Sequence, residues 1–276
     1  MTRSACAVLT ALVLLIVPCS LSASVVEISG VPNYPQWEGC GPTAGGMIIG
    51  YWQSHGASGL IGGNGNNDWS SSNQSYIKSM IASSDHFYDY VGYGPGLDRL
   101  DVHPGGPPYH ADNSLADFMW SSRLDAADGW SGEDMQSNVL LKGTPLETPI
   151  GMVAYARNLG YTNATGHYEY FGSLWVDFKK SIDAHQPVEL FVTSTTSGVA
   201  DHFVTAFGYN DATNQYECYE GDGTAAAWYD FQELAANKPF SIQSGAFFVA
   251  PEPATLSLLA FGGFATLMAR ARRRQR

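Results

Sequence analysis

Residues 31–52, VPNYPQWEGCGPTAGGMIIGYW, constrain the fold more than any other stretch of this 276-residue chain. A single cysteine, Cys40, stands just before the predicted start of a helix, and Pro42 suits the first helical position because it needs no N–H partner there. Apolar residues then recur at three- and four-residue spacing, which predicts a helical face turned toward a core. These residues are Ala44, Met47, Ile48, Tyr51 and Trp52.

A cysteine at a helix N-terminus is a candidate nucleophile. The unsatisfied N–H groups and the positive end of the helix dipole lower the pKa of a thiol there and favour the reactive thiolate. Two other interpretations of Cys40 remain open at this point. The first is that Cys40 is a small buried residue of the core. The second is that it forms a disulfide with Cys218, since exported proteins with two cysteines commonly pair them.

The candidate base lies far along the chain, in the segment DHFVTAFGYN. His202 opens a β-rich alternating run at 202–209, where a histidine at a sheet edge can face a packed helix. A nucleophile and base of this kind need a third group that orients the imidazole. Glu220 and Asp222 follow the next predicted strand, 215–219, and both stay open as that third group.

Together these two blocks resemble a known family. The pattern VP-x-Y…GCGPTA-x-x-M-x-x-x-Y, paired with H-F-V-T-x-x-GY-[ND]-D, resembles the bacterial cysteine peptidases of family thirty-nine, which remove double-glycine leaders from bacteriocins. The resemblance implies Cys40 as nucleophile, His202 as general base, and either Asp222 or Glu220 as the orienting acid. The family's oxyanion-hole glutamine usually lies about six residues before the cysteine, whereas Gln36 here lies four before it.

The same resemblance implies a papain-like α+β fold over residues 24–250, with the cysteine helix packed on an antiparallel sheet. Helices are predicted at 76–82, 114–123, from Thr148 and at 174–186, with Ser173 as the cap of the last. Strands are predicted at 188–193, 202–209, 215–219 and 241–249. Helices first and an antiparallel sheet later is typical of α+β domains.

Both ends of the chain carry targeting signals. Residues 1–23 are a predicted signal peptide, with Arg3, an apolar run over 5–17 and a Leu-Ser-Ala cleavage site. At the other end, residues 251–276 resemble a PEP-CTERM sorting tail, which combines Pro-Glu-Pro, a short apolar run over 255–269 and an arginine cluster. That resemblance implies processing by an exosortase in a Gram-negative bacterium. Because the arginines would stay cytoplasmic, the tail would anchor the domain transiently in the inner membrane, facing outward.

The charge of the domain between these ends excludes some partners. It keeps eight Lys and Arg against 25 Asp and Glu, a net charge near −17. Nucleic acid and anionic lipid are therefore not expected as partners. A cationic peptide or a divalent cation would suit the charge, and no cofactor is expected.

Two loop-rich stretches hold polar residues that do not form a compact metal motif. Residues 54–75 are Gly-, Asn- and Ser-rich, and turn residues explain them better than a calcium loop does. Residues 88–109 are similar and contain Asp101 and His103, and His110 and Asp112 follow directly. We expect these four residues to be solvated rather than zinc ligands. His110 also begins the string H-x-x-N-S-L-A-D-F-M, which we associate with the same peptidase-like group and which implies a structural role.

The sequence favours an exported cysteine peptidase that hydrolyses amides through a thioester acyl-enzyme. A transporter with a peptidase head is excluded because the chain has no P-loop pattern. One alternative is a catalytically inactive papain-fold protein that binds a peptide or an exopolysaccharide matrix. A second alternative is a transglutaminase-like transfer by the same Cys-His-acid set.

Overall fold

The fold is a mixture of helices and one antiparallel sheet, as the sequence predicts for an α+β protein. The computed structural model describes residues 25–62, 69–70, 73–91, 110–119, 121, 151–196, 200–234 and 238–250. The predicted signal peptide 1–23, the sorting tail 251–276 and residues 125–147 lie outside these ranges. The papain-like assignment of the fold remains a prediction.

Seven strands make up the sheet within the described residues. They are β1 (Val25–Glu27), β2 (Thr165–Tyr170), β3 (Val188–Val192), β4 (His202–Asn210), β5 (Gln215–Tyr219), β6 (Ala227–Asp230) and β7 (Ile242–Val249). The order is β2-β7-β3-β4-β5-β6, β1 pairs with β4, and every pairing is antiparallel. The strands predicted at 188, 202, 215 and 241 are confirmed, whereas β1, β2 and β6 have no counterpart in the prediction.

Helices cover both faces of the sheet. They are α1 (Cys40–Ser54), α2 (Gln74–Ile81), α3 (Ser84–His86), α4 (Leu115–Met119), α5 (Gly151–Asn158) and α6 (Leu174–Asp183), and a π-helical turn (Phe87–Val91) follows α3. Helices α1, α2, α4 and α5 share one core with Phe191 and Phe203, and α6 shares the other core with Leu190 and Val204. Because both faces are covered, every residue of β3 is buried, and its sequence is apolar with the single exception of Glu189.

Helix α1 is buried on almost every side, not on one face as its spacing predicts. Only Trp52 and Ser54 among its residues are not buried. The Thr205 hydroxyl on β4 donates a hydrogen bond of 2.9 Å to the Ala44 carbonyl, which fixes the helix on the sheet. Glycines in α1 leave room for neighbouring segments to pack closely on its other sides. A Cβ at Gly46 would lie 2.7 Å from Ile81 Cγ1, and one at Gly50 would lie 2.9 Å from Pro32 Cγ and overlap the Tyr34 hydroxyl.

Two predicted helix starts are wrong in detail. Helix α1 begins at Cys40, so Pro42 is its third residue, which still lies in the first turn where the missing N–H costs nothing. Ser173 precedes α6 but does not cap it, because its backbone is helical and its hydroxyl donates to the Glu169 carboxylate. That helix therefore depends on packing: its Phe178 stacks near Trp175 and Phe231 in the second core.

Two carboxylates meet over a glycine in the sheet. Gly208 on β4 pairs with Glu27 on one side and Glu217 on the other. A Cβ at Gly208 would lie 2.9 Å from Glu217 Oε2 and 3.2 Å from Glu27 Cγ, so the glycine makes the space into which both side chains lean. Burial first, and the neighbouring Glu27 charge second, raise the pKa of Glu217 to about 7.

Replacing Gly50 by Ala should destabilise the protein by about 1–3 kcal/mol, because the new methyl group overpacks against Pro32 and the fully buried Tyr34. Thermal or urea unfolding measures the loss. Gly62→Ala is the matched control, since its Cβ would meet only Tyr76 Cδ1, at 3.9 Å, on an exposed part of the chain. Equal stability of the two variants would contradict the close packing of α1.

Replacing Glu217 by Gln should raise the melting temperature more at pH 8 than at pH 5. The raised pKa means that folded Glu217 keeps a proton which the unfolded chain releases above about pH 4.5. Stability therefore falls as pH rises from about 4.5 to 7, and the neutral amide avoids that loss. The exposed Glu233→Gln change removes the same charge as a control and should show no such pH dependence. A parallel shift of both variants would contradict the prediction.

Candidate active site

Cys40 is the first residue of α1, with 7% of its surface exposed. The residue before it, Gly39, has φ 59° and ψ 168°, a conformation essentially restricted to glycine. Thr43 ties the turn together, because its Oγ1 donates to the Gly39 carbonyl at 2.7 Å and accepts from the Trp37 N–H at 3.2 Å. The thiol therefore sits at the positive end of a long buried helix, on a turn whose backbone is fixed.

His202 is the first residue of β4 and is half-buried. Its Nε2 lies 3.0 Å from the main-chain oxygen of Glu220. A carbonyl oxygen only accepts hydrogen bonds, so Nε2 carries the hydrogen, and in the neutral ring Nδ1 holds the lone pair. The contact thus selects the tautomer that a general base at Nδ1 requires.

The segment after β5 links the histidine to the cysteine helix. Glu220 binds His202 through its carbonyl, and a Cβ at the next residue, Gly221, would lie 3.9 Å from Thr43 Cγ2 in the first turn of α1. Asp222 forms an antiparallel bridge with Pro35, five residues before Cys40. The start of α1, the start of β4 and the end of β5 therefore lie in one corner of the molecule.

The two predicted acids use their carboxylates for other contacts. Glu220 Oε1 accepts a hydrogen bond from the Tyr229 hydroxyl, so the residue reaches His202 through its main chain only. Exposed Asp222 accepts from the Thr224 N–H at 2.9 Å and the Thr224 hydroxyl at 2.6 Å. These hydrogen bonds lower the pKa of Asp222, and the nearby His202 charge acts in the same direction. The charge of His202 is the weakest of these causes.

The predicted oxyanion residue, Gln36, is exposed and follows the Pro35–Asp222 bridge. Its position keeps it beside the corner that holds the cysteine and the histidine. The N–H groups of Cys40 and Gly41 belong to the first turn of α1, and Gly39 has no side chain that caps this end of the helix. These two backbone donors lie at the cysteine itself.

The disulfide alternative does not hold, because no disulfide joins Cys40 to Cys218. They belong to different cores, Cys40 to the one that contains α1 and Cys218 to the one that contains α6. Cys218 is fully buried, and this burial raises the pKa of its thiol well above the ordinary value. Cys218 is an inert core residue.

A buried cluster next to Cys40 was not predicted from the sequence. His86 Nδ1 lies 2.7 Å from Asp117 Oδ1, and His86 Nε2 lies 3.7 Å from Glu38 Oε1. His110 joins the same carboxylate through Nε2 at 3.0 Å and joins Asp89 through Nδ1 at 2.5 Å. The expectation of a solvated His110 is therefore wrong, and the contacts agree with a structural role.

The Ser-x-x-Asp spacing at 114–117 is one signal of this cluster in the sequence, beside the string that begins at His110. Asp117 is the third residue of α4 and accepts hydrogen bonds from the N–H and hydroxyl of Ser114, and the bond from the N–H is one half of a capping box. Asp112, predicted to be solvated, is exposed, and Asp101 and His103 lie outside the described residues. Among the described residues no group of three or more His, Cys, Asp and Glu has the geometry of a metal site.

A polar cleft of about 360 Å³ lies elsewhere on the molecule. It is formed by β2, β7 and α6, with His167, Lys180 and Gln186 among its lining residues. Strand β2 is separated from β4 by β7 and β3, and α6 belongs to the opposite face of the sheet from α1. This cleft is therefore separate from the corner that holds Cys40.

The comparison with protein families identifies the C-terminal tail. Residues 249–274 match the PEP-CTERM protein-sorting motif. The motif implies an exported protein that an exosortase processes and that resides at the cell surface or outside the cell. No curated protein and no solved structure is significantly similar to the chain. In the part of the chain that the structure describes, no helix has both the length and the apolar character needed to cross a bilayer. The run 255–269 lies outside that part.

Proposed function

We propose that this exported protein is a papain-like cysteine hydrolase that cleaves amide bonds with Cys40 as nucleophile and His202 as general base. The single observation that supports it best is the hydrogen bond of 3.0 Å between His202 Nε2 and the Glu220 carbonyl. That bond leaves the Nδ1 lone pair to accept a proton. The resemblance of the GCGPTA and HFVT blocks to family-thirty-nine peptidases supports the same assignment.

The reaction begins with transfer of the Cys40 proton to His202 Nδ1. The thiolate attacks the amide carbon, and the oxyanion accepts hydrogen bonds from the N–H groups of Cys40 and Gly41, with Gln36 as an additional donor. When the tetrahedral intermediate collapses, the C–N bond breaks and His202 gives its proton to the leaving amine. Water, activated by His202, then hydrolyses the thioester and regenerates the thiol.

The orienting group in this proposal is a main-chain carbonyl rather than a carboxylate. The Glu220 oxygen fixes the ring, and Asp222 stabilises the imidazolium by its charge without direct contact. The Glu220 side chain keeps the end of β5 in place through Tyr229 on β6. The proposed cell is Gram-negative, as the resemblance of the tail implies, and the substrate class is a peptide or protein outside the inner membrane.

His202→Gln should slow the alkylation of Cys40 by iodoacetamide at pH 6 at least about tenfold. An ordinary thiol with a pKa of about 8.5 is only about 0.3% ionised at pH 6, so fast labelling requires an activated thiolate. Peptide mass spectrometry of the purified protein reads each site separately. Fully buried Cys218 is the internal control and should stay unlabelled while the protein is folded. Slow, ordinary labelling of Cys40 in the unmodified protein would exclude the hydrolase.

Glu220→Gln and Asp222→Asn should each reduce the cleavage rate less than about tenfold, because neither change removes the Glu220 carbonyl from His202. The rate is measured on a mixture of defined peptides that includes Gly-Gly sequences, with products identified by mass and Cys40→Ala as the inactive control. Loss of 10²-fold or more in either variant alone would assign that carboxylate as the direct partner of the imidazole. An absence of Cys40-dependent cleavage together with normal folding would favour the matrix-binding alternative.

A further inference from the structure

The buried cluster joins three parts of the chain around one imidazole. His86 is completely buried at the end of α3 and lies between Asp117 of α4 and Glu38 of the segment before α1. Asp117 is also completely buried, and Glu38 is 5% exposed. Buried charges in such positions require partners of opposite sign, and these three residues provide them for one another.

The cluster ends at the turn that carries the thiol. Glu38 is two residues before Cys40, and its neighbours are fixed independently. The Trp37 indole N–H donates to the Ala82 carbonyl at 3.3 Å, and its ring meets Phe87 edge-on at 5.4 Å. Because both Trp37 and the Gly39 carbonyl are held, the main chain at Glu38 is fixed two residues before Cys40. A negative charge near a thiol opposes the ionisation of that thiol unless a cation balances it.

The surroundings of His86 favour its charged form, which can balance Glu38. Although burial alone would lower the pKa of His86, the hydrogen bond to Asp117 and the carboxylate of Glu38 at 3.7 Å outweigh burial and raise it. Asp117 shows the reverse: burial alone would raise its pKa, but the His86 hydrogen bond lowers it well below the usual range. The other titratable groups facing this cluster are His110 and Asp89, which bind each other, while Asp85 on α3 is exposed and Lys78 lies over Trp37.

We propose that His86 is a positioning residue for the reactive thiol: held by Asp117, it neutralises Glu38 and so keeps that carboxylate from suppressing ionisation of Cys40. The inference rests on the proposed role of Cys40 as a nucleophile. It adds a second, buried histidine to the site, with a role different from that of His202. His86 does not contact substrate, because none of its surface is exposed.

A metal ion is the other ligand chemistry that two histidines and three carboxylates suggest. The nitrogen–oxygen separations of 2.7 and 3.0 Å are direct hydrogen bonds, so the imidazoles face the carboxylate oxygens and not a common centre. The capping hydrogen bonds from Ser114 occupy the second Asp117 oxygen. The cluster is therefore an ionic network.

The test is the dependence of Cys40 alkylation on pH in the purified protein, compared among Glu38→Gln, His86→Gln and the double variant. Glu38→Gln should move the midpoint of the curve down by about one pH unit, and His86→Gln should move it up by a similar amount. This is the size expected for one charge within about 10 Å at an effective dielectric constant near 20. The double variant should return close to the unmodified protein, because it removes both charges of a pair whose effects on Cys40 cancel.

The exposed Asp85→Asn variant is the matched control for charge removal on the same helix and should leave the midpoint unchanged. Protection of Cys218 from labelling reports that each variant is folded. If His86→Gln does not fold, Glu38→Gln decides alone: a downward shift supports the proposal and an unchanged midpoint overturns it. If both single variants fold, a double variant that keeps the upward shift of His86→Gln overturns it as well, because that shift would then not come from Glu38. Failure of His202→Gln to slow labelling would reject the hydrolase without altering this comparison, so the two failures are distinguishable.

Discussion

The packing of α1 on the sheet is the constraint on which the rest of the structure depends. One hydrogen bond, from the Thr205 hydroxyl to the Ala44 carbonyl, ties the helix to β4, and the surrounding glycines let other segments close on it. A helix buried on nearly all sides cannot rotate or slide without breaking a dense core. Its first residue, Cys40, is therefore held in place by the whole helix and not by a local loop.

Two groups of contacts lie close to Cys40. One involves the segment after β5, and the other involves the segment before α1. In the segment after β5, the Glu220 carbonyl accepts a hydrogen bond from His202, and Gly221 lies against the first turn of α1. In the segment before α1, Glu38 contacts the buried His86, which in turn contacts Asp117. In both, a histidine is oriented by an acceptor on another element, but one histidine is half-exposed and the other is sealed in the core. These exposures suit the two proposed roles, because proton transfer to a substrate needs an accessible imidazole and a fixed charge does not.

The sequence predicts those parts of the fold that depend on local patterns. Strand β4 and the helix at Cys40 follow from spacing and β-propensity, because their apolar residues repeat at the periods of regular structure. Strand β2 was missed because its segment, TGHYEY, is polar on an edge of the sheet, and the role of Gly39 appears only in its backbone angles. The His86 cluster joins residues up to 79 positions apart, from Glu38 to Asp117, and no local spacing signals such a contact.

The two cysteines show why the exported location does not settle the chemistry. Export to an oxidising compartment favours disulfides, and the sorting motif at residues 249–274 marks this chain for export. Yet the sheet separates Cys40 from Cys218, so their thiols cannot pair without unfolding one of the two cores. Burial in apolar surroundings raises the pKa of the Cys218 thiol, so this thiol stays protonated and unreactive. Cys40 lies at a helix N-terminus with a histidine corner beside it, and such surroundings favour a thiolate. A structural role would require none of these features, which is why their convergence favours a nucleophile at Cys40.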